Sequence, residues 1–236
     1  MVAGLRKRVA AARSVCVLTG SGISAESGLP TFRGTGGLWR THRVEELASM
    51  EGFERDPITV WTWYEERRRA HLAAQPSAGH RALAALERCA PDFTLVTQNV
   101  DSLHLRAGSR NVVELHGSLR TARCTGCGER RDLAQGMRPD AIVHTCGGRF
   151  RPDIVWFGEA LPDAAWDVAV QAARRAEVLL VVGTSAIVQP AASLATRYAR
   201  GAFVAEINPE PTALSPHVDL ALRATASAIL PALVEG

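Results

Sequence analysis

The sequence predicts an α/β fold: a parallel sheet with helices on both faces, interrupted by a small inserted helical and zinc-ribbon-like module. Two observations carry this. Short β-branched runs, each followed by turn residues and then an Ala-rich helical stretch, recur as "SVCVLTG", "FTLVTQ", "VVELHG", "EVLLVVGTS" and "AFVAEIN". Such alternation is the pattern of a sheet whose crossovers cover both faces. Two stretches break it: 41–75, helical by pattern and rich in Trp, Arg and Glu, and 124–148, "CTGCGERRDLAQGMRPDAIVHTCGG", with Gly, Pro and Arg but little apolar periodicity. Together they read as the insertion.

Composition narrows the function classes. With 236 residues, 47% of them hydrophobic and 22% charged, the chain can bury one sizeable core and a subsidiary module. The net charge is +3, and Lys7 is the only lysine among the 27 basic residues. The charge forms no basic stripe, which argues against a nucleic-acid partner. The longest apolar run, "VLLVVG", falls far short of the roughly 20 residues that span a bilayer. Five cysteines, three of them in one short segment, argue against a disulfide framework and for a reducing compartment. The expectation is a soluble cytoplasmic protein without a membrane partner.

The first strand leads into "GSGISAESGLPTFRG". Gly20, Gly22 and Ala25 match the G-x-G-x-x-G/A spacing between a strand and a helix start, where glycines permit a tight turn and helix amides face a pyrophosphate. The acidic residue that ordinarily closes a second strand about 20 residues on is not visible, which disfavours an ordinary dehydrogenase. In "WTWYEERRRAH", Tyr64 and Arg67 stand three apart, on one side of a helix, able to aim a phenol and a guanidinium at one carboxylate. The plainer reading is a solvated face on which Glu65 and Glu66 pair with Arg68 and Arg69.

"TQNVDSLH" and "ELHGS" follow the next two strands, so Gln98, Asn99, Asp101 and His116 gather at one sheet edge. A polar cluster there is costly unless it binds something, and a histidine at that edge suits a general base. "IVWFGE" supplies an extended apolar segment with strand propensity. Cys16, within the first strand, and Cys89, within "ALAALERCA", read as small buried hydrophobes.

These motifs carry a resemblance. "GSGISAESGLPTFRG", "TQNVDSLH", "LHGS", "RPDIVWFGE", "GTS" and "INPEP" occur in the order found in sirtuins, NAD-dependent protein-lysine deacylases, and cover most of the chain from Val15 to Pro211. The resemblance implies a Rossmann-type NAD-binding part over 1–40, 76–120 and 152–236, and a small module over 41–75 and 121–151. It implies a cofactor loop of Gly20, Ser21, Gly22, Ile23, Ala25, Glu26, Phe32 and Arg33. Gln98, Asn99 and Asp101 would hold the nicotinamide and its ribose, with Gly183, Thr184, Ser185, Asn208 and Ala226 at the adenosine end. In sirtuin-like chemistry the acyl oxygen of a modified lysine attacks the ribose C1′ as nicotinamide leaves. His116 then deprotonates the ribose hydroxyls, and free lysine and O-acyl-ADP-ribose result.

The partner is accordingly an acyl-lysine protein or peptide. Tyr64 and Arg67 are similar to the pair with which class III sirtuins read succinyl and malonyl groups. Val155, Trp156 and Phe157 match the segment that pairs with substrate backbone, and Val188 the acyl-lysine channel. Two rival readings are an NAD-dependent protein ADP-ribosyltransferase and a non-catalytic NAD-sensing protein. In the family's pattern of two C-x-x-C pairs, Cys124, Cys127 and Cys146 are present, but Val143 stands where a fourth cysteine is expected and cannot bind a metal. Zinc held with His144 or water as fourth ligand, weak binding, and an empty site all stay open. His144, two residues from Cys146, has an awkward spacing for one tetrahedron, and the reading leans toward no stably bound zinc.

Overall fold

A computed structural model of the chain describes residues 1–32 and 44–234. Its strands are, in chain order, β1 (Ser14–Thr19), β2 (Asp92–Thr97), β3 (Val112–Glu114), β4 (Gly117–Cys124), β5 (Arg130–Asp132), β6 (Phe150–Ile154), β7 (Val178–Val182), β8 (Phe203–Ile207) and β9 (Leu220–Leu222). Six of them form one sheet in the order β3-β2-β1-β7-β8-β9, with every pairing parallel. Parallel strands covered on both faces read as continuous apolar runs, and β7, Val-Leu-Leu-Val-Val, is buried at every residue. All five strands expected from the alternation belong to this sheet. The sixth, β9, is three residues long and too short to leave a sequence signal.

Both faces are packed. On one, Leu83 and Leu86 of helix Ala78–Cys89 meet Val17, Leu95 and Leu180. Ser77 begins that helix with a reciprocal cap: its hydroxyl accepts from His80 N, and His80 Nδ1 accepts from Ser77 N. On the other face, the small residues Ala169, Ala172 and Ala173 of helix Asp163–Arg175 lie against Leu18, Val96 and Val181. Strand order reverses at β1 and β7, and open parallel sheets bind ligands beyond the strand ends at such a switch point.

The inserted module is a second, antiparallel sheet, β5-β4-β6, with helix Pro57–Ala73 across it. Asp56 caps that helix by accepting from Thr59 N at 3.0 Å, and Pro57 takes the first turn. Trp61 packs on Ala122, Cys124, Leu133, Ile142 and Phe150. One turn on, Tyr64 joins Leu119, Ile154 and Trp156. The helical and cysteine-bearing stretches thus share one core, and the small sheet reaches beyond 121–151 in both directions, to Gly117 and Ile154. At its start Gly117 has φ +76°, and a Cβ there would lie 2.1 Å from Asp153 O, so the turn admits only glycine.

Three local expectations are corrected. The strand in "IVWFGE" ends at Ile154; Val155 and Trp156 continue as irregular chain into a turn. Cys89 is exposed, because it is the last residue of its helix and lies past the packed stripe, whereas Cys16 is buried and its thiol pKa is pushed up to about 12 by desolvation. The charge run is no solvated face at Glu65 and Arg68: both are buried, and they form a two-pronged ion pair at 2.7 and 2.8 Å.

Candidate active site

The loop after β1 closes directly on the loop after β7. Gly20 N donates to Val182 O at 3.1 Å and Gly22 N to Gly183 O at 2.8 Å. A Cβ on Gly22 would stand 2.7 Å from Gly183 Cα. The glycine spacing therefore serves close backbone packing across the switch point as well as exposure of amides. The helix that follows, Gly22–Ala25, is a single turn.

The end of β2 supplies the polar side chains. Asn99 Nδ2 donates to Gly20 O at 3.1 Å and to Ser24 Oγ at 3.2 Å, and Ser24 Oγ donates to Asp101 Oδ2 at 2.7 Å. Gln98 Nε2 donates to Thr184 Oγ1 at 3.0 Å, and Asn208 Nδ2 to Thr184 O at 3.0 Å. These bonds knit β1, β2, β7 and β8 into one rim. His116 follows β3. Its Nδ1 lies 3.0 Å from Gln98 O, and a carbonyl only accepts, so Nδ1 carries the proton and Nε2 presents a lone pair. Burial lowers the His116 pKa below the ordinary histidine range, keeping the imidazole neutral.

One cavity of about 770 Å³ runs along this rim into the cleft beside the small module. It is lined by Gly20, Ser21, Gly22, Ala25, Glu26, Phe32, Gln98, Asn99, His116, Gly183, Thr184, Ser185, Asn208 and Ala226, and also by Tyr64, Arg67, Val155, Trp156, Phe157 and Val188. Two candidates stand behind the wall. Ile23 is fully buried in the core beneath the loop. Asp101 reaches the cavity only through Ser24 and Asn99; its carboxylate also accepts from Leu103 N at 2.9 Å, and burial raises its pKa. Arg33 lies outside the described residues.

Other lining residues went unpredicted: Pro209 to Ala213 and Thr225 at one end, Ala48 and Glu159 at the other. Pro209 to Pro211 lie in "INPEP" and Glu159 in "RPDIVWFGE", so the motifs hold more of the lining than Asn208 and the 155–157 segment.

At the small-module end, Tyr64 is buried, and its hydroxyl accepts from Trp156 Nε1 at 3.0 Å, leaving the phenolic proton free to be donated. The Arg67 guanidinium lies 4.8 Å from the ring centres of both Phe32 and Trp63. Burial lowers its pKa to about 10, so it is still a cation at neutral pH. Among the described residues no carboxylate lies within ion-pair distance of it, and its Nε is buried without a hydrogen-bond partner. A desolvated cation of this kind is costly until an anion joins it.

The cysteine segment brings four donors together. Donor atoms of Cys124, Cys127, His144 and Cys146 all lie within 4.8 Å of one another. His144 Nδ1 is 3.1 Å from Cys146 Sγ and 3.4 Å from Cys127 Sγ, and Cys124 Sγ is 3.5 Å from Cys146 Sγ. Tetrahedral zinc with thiolate and imidazole ligands needs separations of about 3.5 to 3.8 Å, which shifts of a few tenths of an ångström to about one ångström in these side chains would give, and the donor types are those zinc takes. The spacing objection to His144 fails because the nearer ring nitrogen, Nδ1, faces the sulfurs. Its Nε2 meets Glu129 Oε2 at 3.0 Å, the carboxylate support usual for a ligating histidine. Val143 is exposed beside the cluster.

The sheet order, the glycine loop at its switch point and the polar rim define a dinucleotide-binding protein of Rossmann type. The chain belongs to the Sir2 family, which it matches over residues 20–190. It is 51% identical over 230 residues to an NAD-dependent protein deacylase 2 of Pyrobaculum aerophilum, covering 96% of this chain and 92% of the relative. An NAD-dependent protein deacylase of Thermus thermophilus is 51% identical over 223 residues, 92% of this chain and 88% of the relative. A crystal structure of a Sir2 homolog–NAD complex superposes with a TM-score of 0.92 at 47% identity, covering 98% of this chain and 92% of the other. A Sir2–p53 peptide–NAD+ structure does so with a TM-score of 0.88 at 29% identity, covering 98% and 95%.

Proposed function

We propose that this chain removes acyl groups from protein lysines at the expense of NAD, and that succinyl and malonyl groups are among its substrates. The observation that carries the reading is the single cavity, in which the glycine loop, His116 and the Tyr64–Arg67 pair line one continuous space. The relatives named NAD-dependent protein deacylase support the reaction class.

NAD, when bound, supplies a ribose whose bond to nicotinamide is broken and to which the acyl group passes. The protein's part is positional and acid-base. Amides of the loop at Gly20 to Gly22 and the rim at Thr184 and Asn208 suit the phosphates and adenosine. Asn99, oriented by Gly20 O and by the Ser24–Asp101 pair, suits the nicotinamide end. His116 takes a proton at Nε2, and its Nδ1–H bond to Gln98 O stabilises the imidazolium that results. Val155 N is bonded to His116 O at 2.9 Å, so the base and the chain beside the peptide segment share one backbone link.

The unpaired Arg67 cation supports an acidic acyl group. A succinyl or malonyl carboxylate would receive its charge and the Tyr64 hydroxyl proton, a charge-assisted pairing in a desolvated site. The helix of the small module contributes Tyr64 and Arg67 to this end of the cleft, beside the segment Val155 to Phe157, and the loops after β1, β7 and β8 contribute the nucleotide end. Cys124, Cys127, Cys146 and His144 would hold a structural zinc remote from the chemistry, supplying order to the small sheet.

A panel of acetyl-, malonyl- and succinyl-lysine peptides with NAD, followed by nicotinamide release and mass spectrometry, tests the proposal. O-acyl-ADP-ribose formed in step with free lysine is the expected result. Stable ADP-ribose on the acceptor would replace deacylation with ADP-ribosyl transfer, and NAD binding without nicotinamide release would leave a non-catalytic sensor.

A further inference from the structure

We infer that Arg151 and Glu159 form a positioning clamp that sets the acyl-lysine end of the cavity; the inference rests on the reading of that end as the peptide site. Arg151 is 1% exposed, the most deeply buried charge among the described residues of the small module. Its Nη1 and Nη2 both engage the Glu159 carboxylate, the latter at 2.9 Å, and Nη2 also donates to Ile154 O at 2.8 Å. The guanidinium carbon lies 3.5 Å from the centre of the Trp156 ring.

Glu159 completes the circuit. Its Oε2 accepts from Trp156 N at 2.8 Å, and its own N donates to Trp156 O at 3.0 Å, closing a turn in which Gly158 has φ +85°. Trp156 is thus held at its amide by Glu159 and across its ring by Arg151. The indole, so fixed, donates from Nε1 to the Tyr64 hydroxyl at 3.0 Å. An unbroken set of contacts joins the ion pair to Tyr64 on one side and to the Val155–Phe157 wall on the other.

A stability role explains this poorly. Buried ion pairs replaced by well-packed apolar residues are often neutral or stabilising, and Glu159 itself lines the cavity. What the pair supplies is geometric restraint on an irregular segment that beyond Ile154 leaves the sheet and keeps single backbone bonds to other elements, from Val155 N to His116 O and from Phe157 N to Ala48 O. Neither residue is assigned contact with reacting atoms; both act through Trp156.

The test is steady-state kinetics of the full chain with Glu159→Gln and Arg151→Met, using acetyl- and succinyl-lysine peptides and NAD. Misplacement of a binding wall raises the KM for both peptides about tenfold, while kcat and the KM for NAD stay within about twofold. Arg151→Lys, which keeps the charge but loses the fork, falls between. A peptide KM within twofold of the parent, or a KM for NAD that rises in step with it, overturns the inference. Should Arg151→Met fail to fold, Glu159→Gln decides the matter alone, with its melting temperature measured beside its KM. The acyl reading fails separately: Tyr64→Phe would then leave the succinyl and acetyl peptides equally affected, and the acetyl KM would still report the clamp.

Discussion

The two ends of the cavity are built from different materials. The nucleotide end is made of backbone: glycines closing β1 on β7, loop amides, and side-chain amides that bond to carbonyls. The end proposed for the acyl group is made of side chains: Arg151 holds Glu159 and stacks on Trp156, Trp156 bonds to Tyr64, and Arg67 lies over Trp63. Backbone recognises what every use of the site shares, because the pyrophosphate does not vary. Side chains can be exchanged singly, so the end proposed to distinguish one acyl group from another is the one built from them.

His116 stands where the ends meet, and its loss should do the most damage to either. His116→Ala is expected to lower kcat by about 10²- to 10⁴-fold, the usual contribution of a positioned base, with NAD affinity unchanged in calorimetry. If turnover survives, the base lies elsewhere. The depressed pKa carries its own sign: activity needs neutral imidazole, which persists until pH falls through the lowered value. The acid limb of kcat against pH is therefore expected below the ordinary histidine value near 6.5, and a limb above it would contradict the burial argument.

Gly22→Ala attacks the backbone end alone. The added Cβ meets Gly183 Cα at 2.7 Å, with backbone on both sides and nothing flexible to yield. Overpacking of this kind costs about 1–3 kcal/mol, or roughly 5- to 150-fold in NAD affinity where the cost falls on binding. The KM for peptide should not follow it. A parallel rise in both would show that the two ends are mechanically one.

Tyr64→Phe with Arg67→Met attacks the other end. Losing hydrogen bonds to a charged group costs about 1.5–3 kcal/mol, so kcat/KM for a succinyl peptide should fall about thirtyfold, and for an acetyl peptide by no more than about threefold. Because Arg67 is a desolvated cation without an anionic partner among the described residues, Arg67→Met alone should not lower the melting temperature. Thermal denaturation that shows a marked loss would return Arg67 to a structural role.

The same contrast governs what the sequence disclosed. Close backbone packing demands glycine at fixed spacings, so Gly20 and Gly22 were legible, and the polar residues after β2 and β3 stood out at strand ends; Gly183 came only with the family resemblance. The large sheet was legible too, because parallel strands covered on both faces must be apolar throughout. Side-chain constellations follow a spacing rule only within one element, as Tyr64 and Arg67 do on their helix; across elements they follow none. Arg151 and Glu159 meet across a turn, Trp156 reaches Tyr64 from 92 positions away, and the burial of Glu65 and Arg68 depends on tertiary packing that a charge run conceals. Ile23, which the resemblance places in the cofactor loop, has its side chain in the core, since a strand-to-helix turn must also anchor itself below.

The cysteine cluster tests the contrast at its weakest point, being side-chain built yet remote from either end. Its convergence on four donors, with His144 Nδ1 in the place that Val143 cannot fill, runs against the leaning toward an empty site. Metal analysis of the purified chain is expected to give one zinc, and cobalt substitution a spectrum of three thiolates and one imidazole. Glu129→Gln should weaken zinc about 10- to 100-fold, the scale seen for residues that support a ligand, and His144→Ala, which removes a ligand, should weaken it further, with kcat and both KM values at saturating zinc within about threefold. The physical reason is connectivity: the cluster joins β4 to the loop before β6 at their outer ends, whereas Gly117 and Ile154 join the same two strands at the cavity end. Fraying of the outer end should therefore stop at the Trp61 core before it reaches Trp156. A zinc-free protein that lost peptide affinity as fully as Glu159→Gln does would show that the small sheet transmits strain along its whole length.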